Sequence, residues 1–263
     1  MILLLHGIED LRWAMLPEKA LAAAMLFWPG LLTRRLTWVS LSILAVWNNM
    51  GNWPFLVNHE YLITYWVLAC TLALYAFVPT AVMAWNARLL IGLCFSFATL
   101  WKLLSGEYLD GSFLHLTVLL DPRLSSIALL SGVSAETLQA NADLFSRLQT
   151  SGFSELRTNP LISSISLLLS YWTLLIEGLV ALSFLCPRPR WLYQRRDWGL
   201  LLFTFTTYTI IPVFSFAAVL LVLGLAQCEY PQRERLYLQA WLLIPIWMVL
   251  PQALFYLLRL LVG

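Results

Sequence analysis

Long apolar runs dominate the chain. Five stretches, 58–79, 81–104, 161–186, 198–227 and 236–262, are apolar over most of their length and carry few charges. Crossing the hydrocarbon core of a bilayer as an α-helix takes about 20 residues. A sixth stretch, 36–57, is weaker because Asn48, Asn49, Asn52 and Pro54 dilute it. The stretch 18–32 is apolar but short, and Pro29-Gly30 interrupts it, which predicts an interfacial or re-entrant helix. Barrel strands would show short segments of alternating polarity instead. The pattern predicts an all-α, polytopic integral membrane helix bundle with about six spans and one or two interfacial helices, in a single domain over 1–263.

The segment 105–159, between the third and fourth spans, is predicted to be a helical insertion. Residues 111–120 are apolar and suit the membrane surface, and Asp121-Pro122 breaks them. Ser134 then reads as an N-cap, with Glu136 in the first turn of the next helix. Leu138, Phe145 and Leu148 give that helix one apolar face, and Gly152 and Asn159-Pro160 close it.

Composition agrees with a membrane class. Hydrophobic residues make up 60% of the 263 residues and charged ones 11%, and the mean hydropathy is +0.77. A net charge of +2 gives no basis for nucleic-acid binding. The basic residues are grouped, which sets an orientation. Arg34 and Arg35, Arg88, and Arg188, Arg190, Arg195 and Arg196 all fall on one side when six spans alternate. That side, with both termini, is expected to be cytoplasmic. The 105–159 insertion and the 229–235 loop are expected on the other. Residues 1–11 lack a basic n-region and a small-residue cleavage site, so they do not read as a signal peptide. Cys70, Cys94, Cys186 and Cys228 form no C-x-x-C pair and sit in or beside apolar runs, which suits buried small hydrophobes and no metal site.

Ionisable groups inside spans are rare and mark function by default. His59, Lys102 and Glu177 stand out. His59 begins the second span and Lys102 lies near the end of the third, so antiparallel packing would put both at one face of the membrane. A lysine amine in an apolar pocket is a usable base, and a histidine beside it can donate, accept or stabilise charge. A lysine at a span end also commonly snorkels to the headgroups, and a histidine at a span start commonly sits in the wet interface. Glu177 must face the bundle interior, either in a hydrogen bond to another span or in a proton relay. Arg88 and Lys19 read as topology anchors. No phosphate loop, nucleophile elbow or H-E-x-x-H helix is present.

Asn58-His59-Glu60-Tyr61-Leu62 resembles the N-H-x-Y-L element of vitamin K-dependent gamma-carboxylases. Phe97-Ala98 through Trp101-Lys102-Leu103, followed by Gly106 and Asp110-Gly111, resembles their K-L element and its sequel. The apolar run to Glu177, then Leu179 and the arginine-rich loop, and the run 203–216 are similar to the parts that follow. This membrane region is the HTTM domain, of which bacteria carry many short versions. The resemblance covers roughly 36–226. It implies that Lys102 deprotonates a hydroquinone and that His59 assists. Asn58, Tyr61, Trp101 and Glu177 would belong to the quinone pocket. It also implies a bacterial plasma membrane location and a site on the non-cytoplasmic face. The carboxylases continue into a large soluble domain, whereas this chain ends at Gly263. Thr204, Thr206, Thr207, Tyr208 and Thr209 stand where many relatives have a histidine.

Two functions follow. The first is a quinone-linked membrane enzyme on the carboxylase core, with a lipid bilayer around it and another membrane or non-cytoplasmic protein as substrate or partner. The second is a non-catalytic membrane subunit that binds lipid, quinone or pigment, or stabilises a larger complex. A transporter is a weaker third, because no paired broken helices occupy matching halves.

Overall fold

A computed structural model of the chain describes residues 15–53, 56–151 and 156–262, and the side chains among them except at 148–151 and 251–262. The expectations for 1–11, Pro54, Leu148, Gly152 and the end of the 236–262 run lie outside the described residues or side chains.

All regular structure among the described residues is helical. In chain order the α-helices are α1 Leu16–Phe27, α2 Arg35–Asn52, α3 Asn58–Ala73, α4 Pro79–Leu104, α5 Gly106–Leu109, α6 Ser112–Leu120, α7 Ser125–Leu130, α8 Ala135–Ser151, α9 Pro160–Leu185, α10 Arg190–Gln194, α11 Arg196–Ile210, α12 Phe214–Ala226 and α13 Pro231–Val262. Short 3-10 turns cover Pro29–Thr33 and Pro122–Leu124. The helix starts are legible locally. Pro79, Pro160 and Pro231 open α4, α9 and α13, where a missing backbone N–H costs nothing. The Ser134 hydroxyl accepts from the Thr137 N–H at 3.1 Å and caps α8. The Glu60 carboxylate accepts from the Val57 N–H at 3.0 Å and closes the first turn of α3, which explains the acidic neighbour of His59.

Among the described residues two helices, α4 and α9, are long and apolar enough to cross a membrane, and a third span results if Ser112–Leu120 and Pro122–Leu130, bent by 90°, count as one. That is fewer than the six expected, and the reasons are local. Helix α3 stops at Ala73 after 16 residues. Helix α2 has 18 residues but ends in the asparagine-rich stretch. Helix α13 has 32 residues but opens with Arg233, Glu234 and Arg235, and its apolar end lies among the undescribed side chains. Phe97, Leu100, Trp101 and Leu104 of α4 and Leu168, Leu175 and Leu182 of α9 are exposed. Apolar residues turned outward in such numbers fit a helix surrounded by lipid.

The 198–227 run is a correction rather than a shortfall. It is not one span. Helix α11 ends at Ile210, α12 begins at Phe214, and the residues between are not helical. Pro212 sits at the break, where it supplies no N–H to continue the ladder. Gln227, just past α12, accepts from Arg196 Nε at 2.8 Å at the start of α11. A continuous helix would hold those residues about 45 Å apart at 1.5 Å per residue. The segment is therefore a helical hairpin. The Arg196 end of the arginine-rich loop and the 229–233 segment lie together, not on opposite sides as alternation predicted.

Packing groups the chain into two compact units. Met1–Cys94, Ala181–Leu201 and Val213–Ile244 form the first, and Phe95–Val180, Leu202–Pro212 and Pro245–Gly263 the second. In the first unit, Met25, Leu41 and Val67 bring α1, α2 and α3 together. A buried hydrogen bond of 2.7 Å between the Ser42 and Thr71 hydroxyls ties α2 to α3. In the second, Val118, Leu119, Leu124, Ala128, Val133 and Ile162 form a core under α6 to α9. Leu138 of α8 packs on it, while Phe145 is 50% exposed and does not extend the apolar face expected of α8. Gly111 precedes α6 with φ +81, and a Cβ there would lie 3.1 Å from the Leu167 Cα. Both its backbone and its approach to α9 require glycine.

Gly224 meets a comparable demand in the first unit, since its Cβ would stand 2.2 Å from the Tyr237 ring. Gly224→Ala is expected to lower stability by about 1–3 kcal/mol through overpacking. Gly51→Ala, in α2 with nothing within 4 Å of its Cβ, is expected to be neutral or stabilising by up to about 1 kcal/mol. Thermal unfolding of both variants in one detergent checks the contrast.

Candidate functional site

Lys102 and Glu177 meet in the second unit. Lys102 lies in the last turn of α4, and its Nζ donates to Glu177 Oε1 at 2.7 Å and Oε2 at 2.6 Å. The side chains are 20% and 8% exposed. Helix α9 begins inside the α6–α8 core, where Ile162 is fully buried. Its first turns are thus spent beyond the end of α4, and Glu177 arrives level with Lys102. Equal span ends, as the apolar runs suggest, would have separated the two, so the pairing was not legible from the sequence. Each charge offsets the desolvation of the other, since a buried charge without a partner costs several kcal/mol, on the order of 3–5.

The pair has polar surroundings. Lys102 Nζ lies 5.4 Å from the centroid of the Tyr108 ring, which is buried at 6% exposure. Burial pushes the Tyr108 phenol up to about 12, against the lesser influence of a hydrogen bond with Thr173. Tyr108 carries no signature in the sequence, because only the turn into α5 brings it under the amine. Along α9, Ser166, Ser170, Thr173 and Glu177 recur at helical spacing on one face. Ser166 and Ser170 are fully buried, and their hydroxyls have no hydrogen-bond partner. Thr99, one turn before Lys102, has the same unpartnered hydroxyl.

The other residues singled out in the sequence have surroundings of their own. Trp101 is 76% exposed and Asn58 is exposed. His59 belongs to the first unit. Its Nε2 lies 2.9 Å from the Ser215 hydroxyl, and its ring stacks on Phe216 at 5.9 Å. Tyr61, also in the first unit, packs edge-on against Trp53 at 6.0 Å. His115, in the second unit, lies between the Thr158 and Ser163 hydroxyls at 2.7 and 3.2 Å. Among the described residues no group of three or more His, Cys, Asp or Glu is placed to hold a metal ion.

A second charged cluster lies in the first unit, at the start of α11 and just past α12. Arg196 and Asp197 are 2% and 3% exposed, and Gln227 is fully buried. Arg196 donates to Gln227 at 2.8 Å and to Glu229 at 2.9 Å. Asp197 accepts from Gln227 Nε2 at 2.5 Å, from the Tyr237 hydroxyl at 3.0 Å and from Arg233. Arg88 donates to the Tyr193 hydroxyl and lies 4.0 Å from Glu229. Arg196 and Arg88 are thus network members rather than solvated topology anchors. The sequence hid this because an arginine beside a span reads as an orientation signal whether or not it folds inward. Comparison of the chain with protein-family models, with curated proteins and with solved structures gave no match.

Proposed function

We propose that the chain is an integral membrane protein of the HTTM type in which Lys102 and Glu177 move a proton to and from a quinol. In this reading α4 and α9 cross the bilayer and the α11–α12 hairpin enters it without completing a span. The observation that carries the reading is the charged pair itself. The two helices that, among the described residues, are fit to cross a membrane bring opposite ionisable groups to one place, Glu177 buried and Lys102 partly so, and such groups in a span are kept for function.

The chemistry follows from the contact. In the ion-paired form Lys102 holds the proton. Its transfer along the 2.6 Å contact leaves a neutral amine and a carboxylic acid. Where solvation is weak, the separated charges lose much of their advantage over that neutral form. The neutral amine is the base that a quinol hydroxyl requires. Glu177 then stores the displaced proton, and the Ser170 and Ser166 hydroxyls lie along the same helix face for its onward passage. The test is the wild-type protein in phosphatidylcholine nanodiscs with a reduced naphthoquinone. Formation of the quinol anion and oxygen uptake above that of empty nanodiscs are expected. A quinol that stays protonated and unoxidised overturns the reading.

A second reading keeps the same pair as a clamp between α4 and α9 in a non-catalytic membrane subunit. Its support is that both Glu177 oxygens are already taken by Lys102. That reading expects the pair to matter for stability alone.

A further inference from the structure

The segment that leads from the end of α9 into α11 sorts its side chains by burial. Arg188, Arg190, Trp191, Arg195 and Trp198 are exposed, the two indoles at 58% and 56%. Arg196, Asp197 and Leu200 are buried. All of these residues belong to the first unit. The buried members hold the exposed ones in place. Tyr193 of α10 accepts from Arg88 of α4 through its hydroxyl. Its backbone carbonyl accepts from Arg196 Nη1 at 3.2 Å, and the Arg196 guanidinium lies 4.3 Å from its ring centroid. One turn along α4 from Arg88, a Cβ on Gly92 would stand 2.5 Å from the side chain of Leu185, the last residue of α9. Helix α10 is thus pinned against α4 close to where α9 ends. A surface fixed in this way has little freedom left to lose when it binds.

The outward charge is not compensated from within. Arg188, Arg190 and Arg195 make no ion pair among the described residues. The carboxylate nearest in sequence, Asp197, is buried and already accepts from Gln227, Arg233 and Tyr237. Glu229 is taken by Arg196 at 2.9 Å and lies 4.0 Å from Arg88. A guanidinium grips a phosphate through two parallel N–H donors. Indoles favour the headgroup level of a bilayer, where one edge is apolar and the other wet. The patch begins three residues after Leu185, the end of one of the two helices fit to cross a membrane among the described residues. Arginines gathered next to a span are placed for anionic headgroups. A soluble acidic partner would account for the arginines but not for the exposed indoles among them.

We infer that residues 188–198 form a docking surface for anionic phospholipid of the surrounding bilayer, with phosphatidylglycerol as its ligand. Arg188, Arg190 and Arg195 hold the phosphate oxygens, and Trp191 and Trp198 lie at the level of the glycerol and the first acyl carbons. Phosphatidylcholine carries the same phosphate, but its choline cancels the charge, so it binds more weakly. The inference rests on the reading of the chain as a membrane protein and not on Lys102 acting as a base.

The test places the full chain in phosphatidylcholine bilayers with a trace of spin-labelled phosphatidylglycerol or spin-labelled phosphatidylcholine. Electron spin resonance then reads the fraction of each label whose motion the protein restricts. Phosphatidylglycerol is expected to be favoured by about fivefold, the contribution of one surface arginine. Averaging over all the lipids around the protein lowers what three would give. The triple variant Arg188→Gln, Arg190→Gln, Arg195→Gln is expected to bring the ratio close to one, while Arg34→Gln, at an exposed arginine outside the patch, keeps it. Sodium chloride is expected to lower the wild-type ratio by screening, and sodium phosphate at the same ionic strength to lower it no further. Equal restriction of both labels in wild type, or a triple variant with the wild-type ratio, overturns the inference and leaves the membrane reading standing. A larger fall in phosphate than in chloride assigns the patch to free phosphate and overturns the lipid as its ligand. No restricted component with either label overturns the membrane reading and this inference with it. The wild-type ratio and its salt dependence need no variant, so they decide the matter even if the triple variant fails to fold.

Discussion

Asp197→Ala is expected to destabilise the protein by about 3–5 kcal/mol, the cost of leaving buried charge without its partner. Asp197 is 3% exposed and anchors donors from three places in the chain: Gln227 after α12, and Arg233 and Tyr237 of α13. Removing the carboxylate takes this acceptor from the guanidinium and the phenol at once, and leaves the Gln227 amide only the Gly224 carbonyl at 3.1 Å. The loss is local to the charged end of the α11–α12 hairpin, so limited proteolysis is expected to cut between Gln227 and Tyr230 in the variant before it cuts wild type. Pairing Asp197→Leu with Arg233→Met removes both members of one ion pair and is expected to restore part of the loss, because Arg196 keeps Gln227 and Glu229. Thermal unfolding in detergent measures the cycle. An unfolding temperature for Asp197→Ala equal to wild type would mean that the cluster does not hold the hairpin closed.

Lys102→Ala is expected to reduce quinol ionisation and oxygen uptake by a factor on the order of 10²–10⁴, the range of a positioned acid or base. It also leaves Glu177 buried without a cation, so a loss of stability accompanies it. Stability alone therefore does not distinguish a base from a clamp. Glu177→Gln does. The amide still offers an oxygen to Lys102 at this contact, so the fold is expected to tolerate it, but the amide cannot accept the proton. A base mechanism predicts folded, inactive protein. The clamp reading predicts that wild type itself has no quinol activity, and that Lys102→Met with Glu177→Leu is as stable as wild type or more so, since apolar packing often replaces a buried ion pair without loss. The quinol anion absorbance of folded Glu177→Gln, set beside wild type, separates the two.

Helical structure, the Ser134 cap and the break at Asp121-Pro122 were legible in the sequence because each depends on residues within one or two turns. The apolar length of α4 and α9 was legible for the same reason, since hydropathy adds along a helix. The expectation for 198–227 failed on a tertiary point. Apolar residues suit a lipid-crossing helix and a buried hairpin equally, and only the return of Gln227 to Arg196 distinguishes them. Glu177 was readable as an interior group, because an isolated carboxylate in an apolar run has nowhere else to go. Its partner was not readable. That Lys102 meets Glu177 depends on how far α9 extends into the α6–α8 core before it passes α4, a register set by Gly111 against Leu167 and by buried Ile162. The sequence by itself determined the helical class, the apolar segments and the few charges that had to be accommodated among them. The tertiary structure alone decided which charges pair, because pairing follows the depth and rotation of whole helices, and these are set by packing between residues far apart in the chain.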